Sequence, residues 1–172
     1  MEAFFDGLDQ AIRDRNWHAA LVMALTLPDI CAKTVTPTGR SKQRYVAWFN
    51  DHVKAKYTNT VGAAREETVF LSGEDCYALR CALLHEGSAD ITSQPARDVL
   101  EHFHFSVPGH RNNVWHCNQV GGALLLAIDH FASDILNAAR KWWEDSLTDD
   151  ERAAAQVNHL TLIDSDTIEG FG

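Results

Sequence analysis

Apolar residues recur at helical spacing along most of this chain. Phe4, Leu8, Ala11 and Ile12 stand at i, i+4, i+7 and i+8 and predict a first helix over residues 2–15. Asn16 reads as the cap of a second helix over 17–26, with Ala20, Leu21, Ala24 and Leu25 on its apolar side. Pro28 interrupts that helix, and 29–32 continues as a kinked turn before a loop at 34–39. A third helix is predicted over 41–56, with Tyr45, Trp48, Phe49 and Val53 on one side, followed by a loop at 58–70.

Ser72-Gly73-Glu74-Asp75 has the S-x-x-D form of a helix start, and Gly87 is a natural residue to end the helix that follows. The period then changes. Residues 102–107 alternate strictly, 108–113 is turn chemistry, and 114–117 can return as a second strand. A last long helix is predicted over 118–145 from Val120, Leu124, Ile128, Phe131, Ile135 and Trp142, with Trp142-Trp143 packed on one side and wet on the other. The pattern as a whole is mainly α: a four- or five-helix bundle with a β-hairpin near 101–117. Residues 1–148 form one domain, and 149–172 is an acidic tail, part helical near 149–157.

Composition narrows the class. The chain has 172 residues, 45% of them hydrophobic and 23% charged, with ten glycines and four prolines, which fits a folded globular domain. The longest apolar run, residues 123–128, is far shorter than the ~20 residues of a bilayer span, and Met1-Glu2-Ala3-Phe4-Phe5-Asp6 lacks the basic start of an export signal. Cys31, Cys76, Cys81 and Cys117 form no CxxC pair, so reduced thiols in a cytoplasm are expected, with no membrane association. Net charge is −9, yet residues 33–65 hold seven cations against Asp51 alone, a net of +6. Within that stretch Arg40, Lys42, Arg44, Lys54 and Lys56 are the candidate RNA contacts, interleaved with Tyr45, Trp48, Phe49 and Tyr57. The competing reading makes those aromatics a core stripe and the lysines its wet face.

The most informative stretch is the helix 77–87, which carries Arg80 and His85 among apolar neighbours. A guanidinium forks onto phosphate, and an imidazole titrates near neutrality. Together they suffice to cleave RNA without metal: the imidazole moves the proton of the 2′-hydroxyl or the 5′-oxygen, and the guanidinium neutralises charge on the phosphorane. Five residues apart, the two sit roughly 140° from each other around the helix. Either Arg80 curls toward a cleft, or two copies of the helix share one site across a twofold axis.

This R-x4-H pair resembles the signature of the HEPN superfamily, small helical bundles, often dimeric and often metal-independent ribonucleases of toxin, antiviral and RNA-processing systems. The resemblance implies catalytic roles for Arg80 and His85, no cofactor, an RNA substrate, a homodimer, and an antitoxin or other partner protein. In active members the residue after the arginine is frequently Asn, Asp or His, whereas here it is Cys81. Some members have lost catalysis and act as binding or assembly modules, so a non-catalytic module using the same helix as a dimer seam stands beside the enzyme. A third reading gives both side chains structural work, Arg80 tying helix ends and His85 meeting the carboxyl end of the helix dipole.

Other constellations carry less. His102, His104 and His116 could meet a zinc ion across the proposed hairpin, with His110 at its turn, but the spacing fits no standard site, and no metal is expected. Cys81 stands at i−4 from His85 without an orienting third group. No GxGxxG, P-loop, HExxH or GxSxG pattern occurs. The helix 77–84 is apolar most of the way round, which places it centrally or at an interface, and a C2 homodimer along it is expected.

Overall fold

Helix ends follow their capping chemistry. A computed structural model of the chain describes residues 1–109, 114–157 and 159. α1 (Glu2–Arg13) stops where Arg15 turns to φ 55°, and the Asn16 side chain accepts the N–H of Ala19 to open α2 (Trp17–Val35). α2 runs straight through Pro28, correcting the expected break. Pro28 is buried, and apolar packing along the helix outweighs the hydrogen bond it cannot donate. By length and composition alone α2, with mean hydropathy 1.2, would suit a bilayer span; here it packs against α1 and three later helices.

α3 (Ser41–His52) passes through a 3-10 turn (Lys54–Tyr57) into β1 (Thr58–Val61), which pairs antiparallel with β2 (Glu66–Val69). The stretch expected as loop is thus a hairpin. α4 (Gly73–Glu86) begins at Ser72, whose hydroxyl accepts the Asp75 N–H at 3.1 Å, and ends at Gly87 with φ 66°. Gly73 permits a close approach: a Cβ there would lie 2.9 Å from the Val46 carbonyl oxygen of α3.

The region 101–127 differs most from expectation. β3 (His102–Ser106) forms where the alternation predicted a strand. It pairs in parallel with β5 (Ala123–Ala127), whose other edge takes β4 (Asn118–Val120) antiparallel. Residues 114–117 are not a strand; of the expected turn at 108–113, residues 110–113, with His110, lie outside the described residues. The helix expected from 118 starts instead at α5 (Ile128–Asp145), because Gly121, at φ 58°, turns β4 into β5. α6 (Asp149–Val157) falls where the tail was expected to be helical.

The fold is therefore mainly helical with two small sheets. α2 contacts α1, α3, α4 and α5, and one apolar cluster runs from Met1 to Leu147, including Phe103, Leu124 and Leu126 of the sheet. Trp48, Phe49, Trp142 and Trp143 are all buried in it. Neither tryptophan of the last pair keeps a wet side.

Candidate functional site

α4 is positioned from both ends. Asp75 closes its first turn, and its carboxylate also accepts the backbone N–H groups of Asp98, Val99 and Leu100, at 2.7, 3.3 and 3.3 Å. At the other end the Ser88 N–H reaches back to the Ala82 carbonyl at 3.2 Å. Cys76, Ala78, Leu79 and Ala82 face the core, so Tyr77, Cys81 and Leu84 are left as a half-buried stripe. Helical geometry puts those three within about 60° of arc, with Arg80 on one flank and His85 on the other.

Arg80 is not a free cation. Its Nη2 donates to Asp29 Oδ2 of α2 at 3.0 Å, and the two side chains are only 20% and 17% exposed. Ser41 at the start of α3 donates its hydroxyl to the same carboxylate, 3.0 Å from Oδ1. The guanidinium carbon stands 5.9 Å from the centre of the Tyr77 ring, and the Arg80 Nε is buried without a hydrogen-bond partner among the described residues. Asp29 and Ser41 thus join α2, α3 and α4 through one carboxylate. Sequence reasoning missed both. The signal was a lone carboxylate in the apolar run Leu25-Thr26-Leu27-Pro28-Asp29-Ile30 facing a lone arginine in another apolar helix, since buried charges occur in pairs.

His85 is exposed in the last turn of α4 and has no side-chain hydrogen-bond partner among the described residues. Within one chain the structure does not bring Arg80 and His85 into one cleft.

The five candidate RNA contacts fall into two groups. Arg40 and Lys42 are exposed at the start of α3, with Arg44 half-buried beside them. Arg44 donates to the Gly39 carbonyl, while its Nε is buried without a partner among the described residues. Lys54 and Lys56 lie in the 3-10 turn beyond the far end of α3, and Lys56 is matched by Asp134 at 2.6 Å. Two cavities border Arg44. One, of about 700 Å³, includes Asp29, Lys33, Thr34 and Ser41; the other, of about 290 Å³, includes Arg40, Asp51 and His52.

The remaining titratable groups sort by burial. Desolvation pushes the Cys76 thiol up to about 12 and the Cys117 thiol to about 11, and raises Cys31 further, so none is a ready nucleophile. Cys76 meets the Tyr45 hydroxyl at 3.3 Å. His102 lies 3.7 Å from Asp90, β3 pairs with β5 and not with 114–117 as the zinc expectation required, and His116 packs against His130 and Tyr57. Among the described residues no three His, Cys, Asp or Glu side chains come together as metal ligands. Comparisons with protein-family models, with curated proteins and with solved structures return no match.

Proposed function

We propose that this chain is a HEPN-like, metal-independent endoribonuclease, a cytoplasmic toxin or defence effector that works as a homodimer. In this reading α1 to α5 are the bundle and 1–148 the single domain. One observation carries it: Arg80 and His85 flank the half-buried stripe Tyr77, Cys81 and Leu84. A second copy packed on that stripe about a twofold axis gathers two guanidiniums and two imidazoles along one seam. The 2′-oxygen attacks phosphorus as one imidazole takes its proton. The bond to the 5′-oxygen breaks as a second imidazole protonates that oxygen, leaving a 2′,3′-cyclic phosphate and a 5′-hydroxyl. Arg80 neutralises charge on the phosphorane.

The test is cleavage of RNA in EDTA by wild type and His85→Ala. Expected are a cyclic-phosphate product, inertness toward DNA, and loss of cleavage in the variant with the fold intact. Cleavage retained by His85→Ala, or one that needs a divalent ion, overturns the reading.

The second reading, a non-catalytic binding or assembly module, is favoured by the Arg80–Asp29 bond. There the guanidinium is spent on tying α4 to α2, and the stripe receives a second copy or a partner protein such as an antitoxin. Dimers that bind but never cleave RNA would distinguish it.

A further inference from the structure

Among the described residues, three of the six half-buried cations have a carboxylate partner. Arg80, Arg140 and Arg152 all have one, as does exposed Lys56. Half-buried Arg44 and exposed Lys33 do not, nor do Lys54 and Arg97 elsewhere in the described residues. Lys33 Nζ rests on the Pro37 carbonyl and Arg44 Nη1 on the Gly39 carbonyl, and neither has an acidic partner among the described residues. Both side chains border the cavity of about 700 Å³, and Arg44 also borders the smaller one. Cations without counter-ions around a cavity raise the local concentration of anions. The larger volume is in the range that houses a small ligand, and a second cavity borders Arg44 beside it.

The same cavity holds an anion of its own. Asp29 lies on its wall, with its carboxylate held by the Ser41 hydroxyl and the Arg80 guanidinium. A hydroxyl and a guanidinium are the donors that a phosphate oxygen takes. Two anions within a few ångströms repel strongly where water is scarce, so a phosphate and the Asp29 carboxylate exclude each other from these donors.

We propose that this cavity is the path of a single-stranded RNA backbone toward Arg80, with Lys33 and Arg44 as its phosphate contacts and Asp29 as the built-in anion that a phosphate displaces. The choice of RNA rests on the ribonuclease reading. Asp29 holds Arg80 in place while the cavity is without RNA, and the incoming backbone exchanges that carboxylate for phosphate. Lys33, Ser41 and Asp29 become functional residues beside Arg44.

The test uses a fluorescein-labelled 2′-O-methyl oligoribonucleotide, which cannot be cleaved, and fluorescence anisotropy at low and at physiological salt. Wild type should bind. Lys33→Gln combined with Arg44→Gln should weaken binding at least about tenfold, and its log–log salt slope should be shallower by about 1.4 for two lost contacts. Lys141→Gln, exposed and paired with Asp145 on α5, serves as the control and should bind as wild type does. Asp29→Asn should bind several-fold more tightly. Should Asp29→Asn fail to fold, the Arg80 Nε–H resonance of the wild type replaces it and should shift when the oligonucleotide is added.

Absence of wild-type binding, an unchanged double variant, or equal loss in Lys141→Gln overturns the path. Unaltered or weaker binding by Asp29→Asn, or an unmoved Arg80 resonance, overturns the displacement. Parallel assays with ordinary RNA separate the two ideas. Cleavage indifferent to Lys33 and Arg44 defeats the path and spares the enzyme. Binding as expected without any cleavage does the reverse.

Discussion

The carboxylate of Asp75 sits 2.7 Å from the backbone nitrogen of Asp98, and this contact fastens the stretch after α4 to that helix's own first turn. The side chain is 2% exposed, so its loss leaves three backbone N–H groups without the acceptor they share. Asp75→Ala should cost about 3 kcal/mol in urea unfolding, and Asp75→Asn, which keeps one acceptor oxygen, about half as much. Equal midpoints for wild type and Asp75→Ala would contradict the assignment.

Gly73 makes a companion case in sterics. An added methyl would meet the Val46 carbonyl oxygen and Asn50 Oδ1, both at 2.9 Å, where α3 crosses α4. Gly73→Ala should therefore destabilise by about 2 kcal/mol, against the general gain of alanine over glycine inside a helix. A rise in melting temperature would show that the crossing relaxes freely.

Arg80 and Asp29 should be energetically coupled. Both side chains are mostly buried, so a double-mutant cycle with Arg80→Ala and Asp29→Ala should return about 1–2 kcal/mol, more than an exposed pair delivers. A coupling near zero would mean that the bond is broken in solution and that Arg80 is free for phosphate without any exchange.

Stability should also depend on pH through His116. Burial, then the neighbouring His130 imidazole, lowers its pKa below the ordinary 6.5, against the opposing pull of Asp134 and Asp129. Its Nδ1 accepts the Ala127 N–H at 3.3 Å, which requires the neutral ring. The unfolded chain therefore takes up this proton first as pH falls. The contribution is fully present above the unfolded value and is lost as pH drops from 6.5 through the lower folded value. His52, lowered by burial, acts in the same direction. The urea midpoint should fall as pH drops below about 6.5, and less so in His116→Gln. The same slope in both proteins would clear His116 of the effect.

The proposed seam has a simple probe. Leu84 is half-buried on the stripe between Arg80 and His85. Leu84→Arg places a charge where the second copy packs, so sedimentation should report a monomer while helical content stays at the wild-type level. A wild type that is itself monomeric at tens of micromolar would remove the shared site.

Much of the helical part was legible because its signals are local. Asn16, Ser72 and Gly87 mark helix ends with their own side chain or backbone, and each does so in the structure. Tertiary burial overrode the local rule at Pro28. The hairpin Thr58–Val61 with Glu66–Val69 escaped notice because both faces are largely wet, so no apolar alternation betrays it. Leu124, Leu125 and Leu126 misled in the opposite way. A central strand paired on both edges reads as a continuous apolar run, and this one happened to match helical spacing with Val120 and Ile128. The pair Gly121-Gly122 was the overlooked hairpin signal. At the site, motif spacing identified Arg80 but not its carboxylate, because Asp29 lies 51 positions away and only packing joins them.

The junction of β5 and α5 has a mechanical corollary. Ala127 is both the last residue of the strand and the cap of the helix, so no slack separates the two. Eighteen helical residues make a rod about 27 Å long, and a tilt of about 10° at its root swings the far tip by about 5 Å. Strand β5 is thus the short arm of a lever whose long arm ends at Asp145. The packing of α5 against α1, α2 and α3 resists that swing, so the helical core holds the small sheet in place through Ala127.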